Sequence, residues 1–177
     1  MLGIDPGTRL TGYGVISTEG SRLAAVCGGV IETTTQASPE RRLGAIFREL
    51  DALLVEHTPD AVAVEEIFFG RNVRTAFAVG QARGVVLCAA GLREIPCFAY
   101  TPQVVKQSVC GAGGAGKEQV QRMVASLLGL EKIPTPNDTA DALAIAICHS
   151  FRSSYAWPTA NPTNATSAPA SVTLTSD

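Results

Sequence analysis

The chain has 177 residues, 46% of them hydrophobic, which is enough for one sizeable core and one principal domain. No stretch reads as a signal peptide or as a run of about 20 apolar residues, so the sequence predicts a soluble, cytoplasmic protein with no membrane partner. The formal net charge is −2; the five cysteines (Cys27, Cys88, Cys97, Cys110, Cys148) are odd in number and lack C-x-x-C spacing, which argues against structural disulfides and a zinc site.

In chain order, residues 3–16 read as a strand, a glycine-rich turn and a second strand, and residues 23–34 as a third strand with a bend or bulge at Gly28-Gly29. These three form an antiparallel meander. Ser38 is placed to cap a helix with Pro39 at its first position, and Leu43, Ile46, Phe47, Leu50, Leu53 and Leu54 recur at helical spacing until Pro59. Residues 60–68 read as a fourth strand, 72–92 as a helix of small residues, 96–100 as a fifth strand and 101–109 as a short helix. After a glycine-rich loop, helices are expected at 117–128 and 138–150, separated by Pro134 and Pro136. The domain is expected to span residues 1–152. Residues 153–177, rich in Ser, Thr, Pro and Ala, are expected to be a disordered tail, with Trp157 at its root.

Charge is unevenly spread along this plan. Residues 66–122 carry seven basic side chains (Arg71, Arg74, Arg83, Arg93, Lys106, Lys117, Arg122) and three acids (Glu66, Glu94, Glu118) within an acidic whole. A polyanionic ligand is therefore electrostatically permitted.

Four acids stand where binding residues are expected. Asp5 ends the apolar run Met1-Leu2-Gly3-Ile4 just before the turn signal Pro6-Gly7-Thr8, and Glu65 closes Ala61-Val62-Ala63-Val64 in the same way. Asp138 and Asp141 are three apart at a helix start, so both project from one face of its first turn. Taken singly, Asp5 can be a turn cap, and Asp138 an N-cap or first-turn acid favoured by the helix dipole. Asp141 fits such a role less well, because an acid among Ala140, Ala142, Leu143 and Ile145 needs a partner to offset its desolvation. Like charges gathered from distant segments repel unless a cation sits between them, and oxygen ligands suit Mg²⁺ or Mn²⁺.

Two further stretches carry open alternatives. In Ile67-Phe68-Phe69-Gly70-Arg71-Asn72 the adjacent aromatics cannot both face one core, so one packs inward and the other meets a partner or stacks on an unpaired base. Residues 73–86 are apolar or small nearly all round, as in a helix buried within the chain or one that self-associates through Gly80 and Gly84.

Several stretches together resemble the RuvC family of Holliday-junction resolvases, in the RNase H and retroviral-integrase superfamily, across about residues 1–150. They are Gly3-Ile4-Asp5-Pro6-Gly7 with Thr11-Gly12-Tyr13-Gly14, Val64-Glu65 with Phe68, Gly80-Gln81-Ala82-Arg83-Gly84, Gln103-Val104-Val105-Lys106-Gln107 and Ala140-Asp141-Ala142-Leu143-Ala144-Ile145-Ala146. The resemblance implies an α/β, RNase H-like five-stranded mixed sheet, three antiparallel strands followed by two parallel ones, with helices on both faces. It implies a metal-dependent endonuclease that makes paired symmetric nicks in four-way junction DNA during recombination and repair. Its catalytic acids fall on Asp5, Glu65, Asp138 and Asp141, with two Mg²⁺ or Mn²⁺ ions per site, and its basic active-site residues on Lys106 and Lys117. Some relatives carry histidine where Asp138 stands, which makes that ligand the most replaceable. Phe68 or Phe69 is expected at unpaired bases, with Arg71 and Asn72 beside them on DNA. The family also implies a two-fold homodimer and work beside the RuvA–RuvB branch-migration complex.

Two other classes compete. Gly3-Ile4-Asp5-Pro6-Gly7-Thr8 also resembles the phosphate loop of actin-like and sugar-kinase ATPases, but that architecture needs two such domains. A catalytically idle junction-binding scaffold is the second, and the presence of all four acids argues against it.

Overall fold

The computed structural model describes residues 1–66 and 73–155 of the chain. Within them lie strands β1 (Leu2–Asp5), β2 (Leu10–Glu19), β3 (Arg22–Glu32), β4 (Val62–Glu65) and β5 (Cys97–Tyr100). The helices are α1 (Pro39–His57), α2 (Val73–Leu92), α3 (Pro102–Cys110), α4 (Lys117–Leu127) and α5 (Asn137–Tyr155). The strands form one sheet in the order β3-β2-β1-β4-β5, antiparallel from β3 to β1 and parallel from β1 to β5. This is the expected mixed sheet.

Strand alternation sends neighbouring residues to opposite faces, and each face has its own core. Leu2 and Ile4 of β1 with Val62 and Val64 of β4 pack against Ile46, Leu50 and Leu54 of α1 and Ala82, Val86 and Ala89 of α2. The intervening residues, Gly3 and Asp5 of β1 and Ala63 and Glu65 of β4, therefore face α5. That helix is buried nearly all round, from Ala142 to Cys148, and packs with Val105 and Val109 of α3 and Val120 and Val124 of α4.

A row of glycines lets α5 lie directly on the strands. Gly3 is paired with Gly14, and Gly14 with Gly28. A Cβ on Gly3 would overlap the carbonyl oxygen of Ala142 and stand 2.7 Å from the amide nitrogen of Ala146, one on Gly14 would stand 2.6 Å from Cδ2 of Leu143, and one on Gly28 would reach Cγ2 of Thr139 at 3.0 Å. Gly12, in the next row on that face, lies under the carbonyl of Asp138. These glycines are strand residues, and their value is the absence of a side chain.

Some local expectations are corrected. The register break of the β2–β3 ladder lies opposite Val15 and Ile16, where Val26 is the extra residue, and Gly28 and Gly29 remain in register. Ser38 does occupy the N-cap position of α1, but its hydroxyl donates to the carboxylate of Glu40 and caps no backbone amide. The last helix starts one residue before the expected Asp138 and runs on past Ser150 to Tyr155. Residues Thr75–Leu92 of α2 are long and apolar enough, by length and composition, to cross a membrane, although no such run was expected. One face of α2 is instead built into the core through Ala82, Val86, Ala89 and Ala90. Phe68, Phe69, Arg71 and Asn72 lie outside the described residues, as do Trp157 and the rest of 156–177.

Candidate active site

Parallel pairing brings the first two acids side by side. Ile4 is in register with Val64, so the next residues, Asp5 and Glu65, end neighbouring strands on the α5 face. Asp141 comes down from α5 above them, at a height set by the glycine row. Asp5, Glu65 and Asp141 line one open cleft of about 210 Å³, together with Lys106 of α3, Lys117 of α4 and an apolar floor that includes Val105, Val120 and Ile145. Of the six residues expected to be catalytic, five meet there. Asp138 does not line the cleft; it sits one turn earlier on α5 over Gly12, and its charge still acts on Asp5 and Lys117.

The electrostatics are those of an acid cluster short of positive charge. Burial, then the charges of Glu65, Asp141 and Asp138, push the Asp5 carboxyl up to about 7, against the pull of Lys117. Burial and the charge of Asp141 likewise raise Glu65, while Lys106 and Lys117 lower it. Lys117 Nζ stands 2.9 Å from Oδ2 of Asp141, and this hydrogen bond raises the pKa of the ammonium above its ordinary value. The internal cation thus holds one of the acids.

Three braces around the cleft have no counterpart in the sequence reading. Thr11 Oγ1 donates to the carbonyl of Gly7 at 2.6 Å, and Thr33 Oγ1 donates to that of Thr8 at 2.5 Å while accepting from Arg42 Nε at 3.0 Å. These bonds fix the turn that follows Asp5. On the other flank Tyr100, in register with Glu65, lies 2.8 Å through its hydroxyl from Nδ1 of His149, whose ring also packs on Phe98 with centroids 4.4 Å apart. Burial lowers the pKa of His149 below its ordinary value. The third brace joins Gln121 of α4 to Asn137 of α5 at 2.9 Å. Alternate glycines at 12 and 14 were a readable signal of close packing; a lone glutamine between Val120 and Arg122 was not.

The model of the family described as crossover junction endodeoxyribonuclease RuvC matches residues 1–149. The chain belongs to the RuvC family. A RuvC-family protein of Syntrophomonas wolfei is 55% identical over 149 residues, 84% of this chain and 87% of that relative. One of Pelotomaculum thermopropionicum is 50% identical over 157 residues, 89% of this chain and 94% of the relative. Among solved structures, Thermus thermophilus RuvC in complex with Holliday junction substrate superposes with a TM-score of 0.84 at 42% identity, covering 88% of this chain and 94% of that one. Family membership carries the activity: RuvC proteins are crossover junction endodeoxyribonucleases, hydrolases that cut DNA. The five-stranded sheet with its helices is the RuvC fold, and the two-domain ATPase alternative falls away.

The RuvC family implies metal-dependent catalysis, and the donor set can be tested against that. Among the described residues no three histidine, cysteine, aspartate or glutamate side chains already stand close enough to enclose an ion. The acids nevertheless fit one in chemistry. Their oxygens are hard ligands, they share a cleft, and Asp5 is raised by burial and by the charges of Glu65, Asp141 and Asp138, which Lys117 only partly offsets.

Proposed function

We propose that this RuvC-family chain resolves four-way DNA junctions in recombination and repair, nicking two strands of like polarity symmetrically by metal-assisted phosphodiester hydrolysis. The observation that carries the reading is the meeting of Asp5, Glu65 and Asp141 with Lys106 and Lys117 in one cleft. Asp5, Glu65, Asp141 and, from its more outlying place, Asp138 would hold two Mg²⁺ or Mn²⁺ ions. Bound there, such ions supply an ionisable water and a counter-charge for the leaving 3′ oxygen. Lys106 holds the scissile phosphate, and Lys117, drawn from Asp141 towards the substrate, offsets charge as it develops on phosphorus. Val105, Val120 and Ile145 form an apolar floor, which strengthens these interactions by lowering the local polarity.

Phe68 and Phe69 are assigned to stacking on unpaired bases near the crossover, with Arg71 and Asn72 on the adjacent backbone. What supports this is their place in the chain: they follow Glu65 and Glu66 after the single residue Ile67, and the Glu66 amide is bonded to the carbonyl of Tyr100. A homodimer through α2 belongs to the same reading. The helix exposes Phe77, Leu87 and Leu92, side chains added at Gly84 or Gly91 would meet nothing, and the buried Nε of Arg83 has no hydrogen-bond partner among the described residues. A two-fold pair of clefts suits the approximate two-fold symmetry of a four-way junction. We assign the nuclease domain to residues 1–152, the site of action to the cytoplasm, and the cooperating machinery to RuvA and RuvB.

The test is cleavage of four-way against linear DNA with Mg²⁺ or Mn²⁺, with the nicks mapped. Symmetric nicks confined to the four-way substrate are expected. Junction binding without any nick under either ion would favour the scaffold reading and sink this one.

A further inference from the structure

Helices α4 and α5 run antiparallel beside the cleft and are linked twice. Lys117 Nζ meets Oδ2 of Asp141 at 2.9 Å; four residues later on α4 and four earlier on α5, Gln121 Nε2 donates to Oδ1 of Asn137 at 2.9 Å. Residues four apart share a helix face, so the two contacts are rungs of one ladder. The rungs sit in different surroundings. The Lys117 side chain is 56% exposed, whereas Gln121 is only 8% exposed, between the buried Val120 and Val124. A polar side chain so deeply buried is held by its hydrogen bond.

We propose that Gln121 is a positioning residue: by holding Asn137, the first residue of α5, it fixes the register of α5 against α4 and so sets Asp141 in the cleft. The inference rests on the reading of Asp141 as a metal ligand and of Lys117 as the cation that moves to substrate. On that reading Asp141 would serve as a ligand and Lys117 would turn to the phosphate, so the ion-pair rung would open. The amide rung then remains as the polar link between the helices. An α-helix rises about 1.5 Å per residue, so a slip of one residue would carry Asp141 that far, and misplacement by about 1 Å is enough to lower a rate about 100-fold.

Two variants cut the rung from opposite sides. Gln121→Met keeps the length and packing of the side chain and removes the donor. Asn137→Ala removes the acceptor at an exposed position, where the core is not at stake. In the full chain, single-turnover cleavage of pre-bound four-way DNA with Mn²⁺ should slow about tenfold in both, and calorimetric Mn²⁺ affinity without DNA should fall about tenfold. Junction affinity should stay within about twofold of the parent, since the phosphate-binding lysines are untouched. Asp141→Asn serves as the control. If it destroys Mn²⁺ binding while both rung variants bind and cleave like the parent, the positioning role is overturned and the ligand reading stands. Impairment of Gln121→Met alone would mean packing and would also overturn it. If Asp141→Asn itself binds Mn²⁺ and cleaves normally, the ligand reading fails and this inference with it.

Discussion

The two faces of the sheet are packed by opposite means. Towards α1 and α2 the strands offer large side chains, Leu2, Ile4, Val62 and Val64, which interlock with Ile46, Leu50, Leu54 and Val86. Towards α5 they offer Gly3, Gly14 and Gly28 with Ala63, so that helix and strand backbones nearly touch. Side-chain packing tolerates exchange when volume is kept, while backbone contact admits one spacing. Both faces bury an apolar core, and the glycine face in addition fixes the height at which Asp141 meets Asp5 and Glu65.

The sharpest way to break this division is at Asp5. Asp5→Asn should abolish cleavage with four-way DNA binding retained, as read by nick assay and gel shift, because it removes a ligand and leaves the basic residues in place. It should also stabilise the metal-free chain at pH 8, since burial and then the charges of Glu65, Asp141 and Asp138 oppose ionisation of the acid it removes. Full cleavage by this variant would refute the role given to the acid cluster. Leu50→Ala, on the other face, should do the reverse, lowering stability by about 2 to 5 kcal/mol with cleavage per folded molecule unchanged.

Titration separates the faces without any substitution. Asp5 moves from 3.8 to about 7 on folding, so the folded chain keeps a proton that the unfolded chain has lost. Below about pH 4 both states are protonated and the site costs nothing. As pH rises from there to about 7, the stability of the metal-free chain should fall, by on the order of 4 kcal/mol from this group, and then level off. Glu65 is shifted in the same direction and adds to the fall. Urea unfolding across that range checks it, and Mg²⁺ or Mn²⁺ should restore stability chiefly above pH 7. Leu50→Ala should lower the whole curve in parallel, whereas Asp5→Asn should flatten it.

The acids were legible because each is announced locally. A turn signal stops β1 just after Asp5, an apolar run ends on Glu65, and a helix start carries Asp138 and Asp141 three apart. The five strands and the antiparallel meander were legible too, in the alternation of strand-like and helix-like segments, while the parallel half of the sheet came only from the family resemblance. What stayed hidden depends on a partner distant in sequence. Gly28 and Gly29 suggested a bulge, since glycine within a strand often marks one. Gly28 instead makes room for Thr139, and Gly29 lies against the ring of Tyr13, neither of which a local pattern reveals. Nothing local marks Gln121, whose partner Asn137 is brought beside it only by the packing of α4 on α5.

Backbone contact on the glycine face also predicts an unusual sensitivity to small change. Gly3→Ala adds a single methyl group, yet it presses on Ala142 and Ala146 backbone atoms that no rotamer change can move. It should destabilise by about 3 kcal/mol, the upper end for overpacking, and should depress cleavage further than stability alone explains because α5 lifts Asp141 away. Denaturant titration beside a nick assay normalised to folded protein tests this. If activity falls only in step with the folded fraction, the glycine row is packing and nothing more.

The smallest contrast lies at two helix starts with the same Ser/Thr-Pro signature. Thr101 caps α3 through its side chain, accepting from the Val104 amide at 3.3 Å, while Ser38 before α1 turns to Glu40 and caps no amide. Thr101→Ala should cost about 1 kcal/mol, the usual value for a lost cap, whereas Ser38→Ala should stay within about 0.5 kcal/mol. The difference bears on function because α3 carries Lys106 and its first residue, Pro102, lines the cleft, whereas the start of α1 bears nothing that lines it. Thr101→Ala should therefore slow cleavage slightly, and Ser38→Ala not at all. Equal losses of stability from the two would mean that the hydroxyl of Ser38 recaptures an amide in solution. The two helix starts would then differ only in what their helices carry.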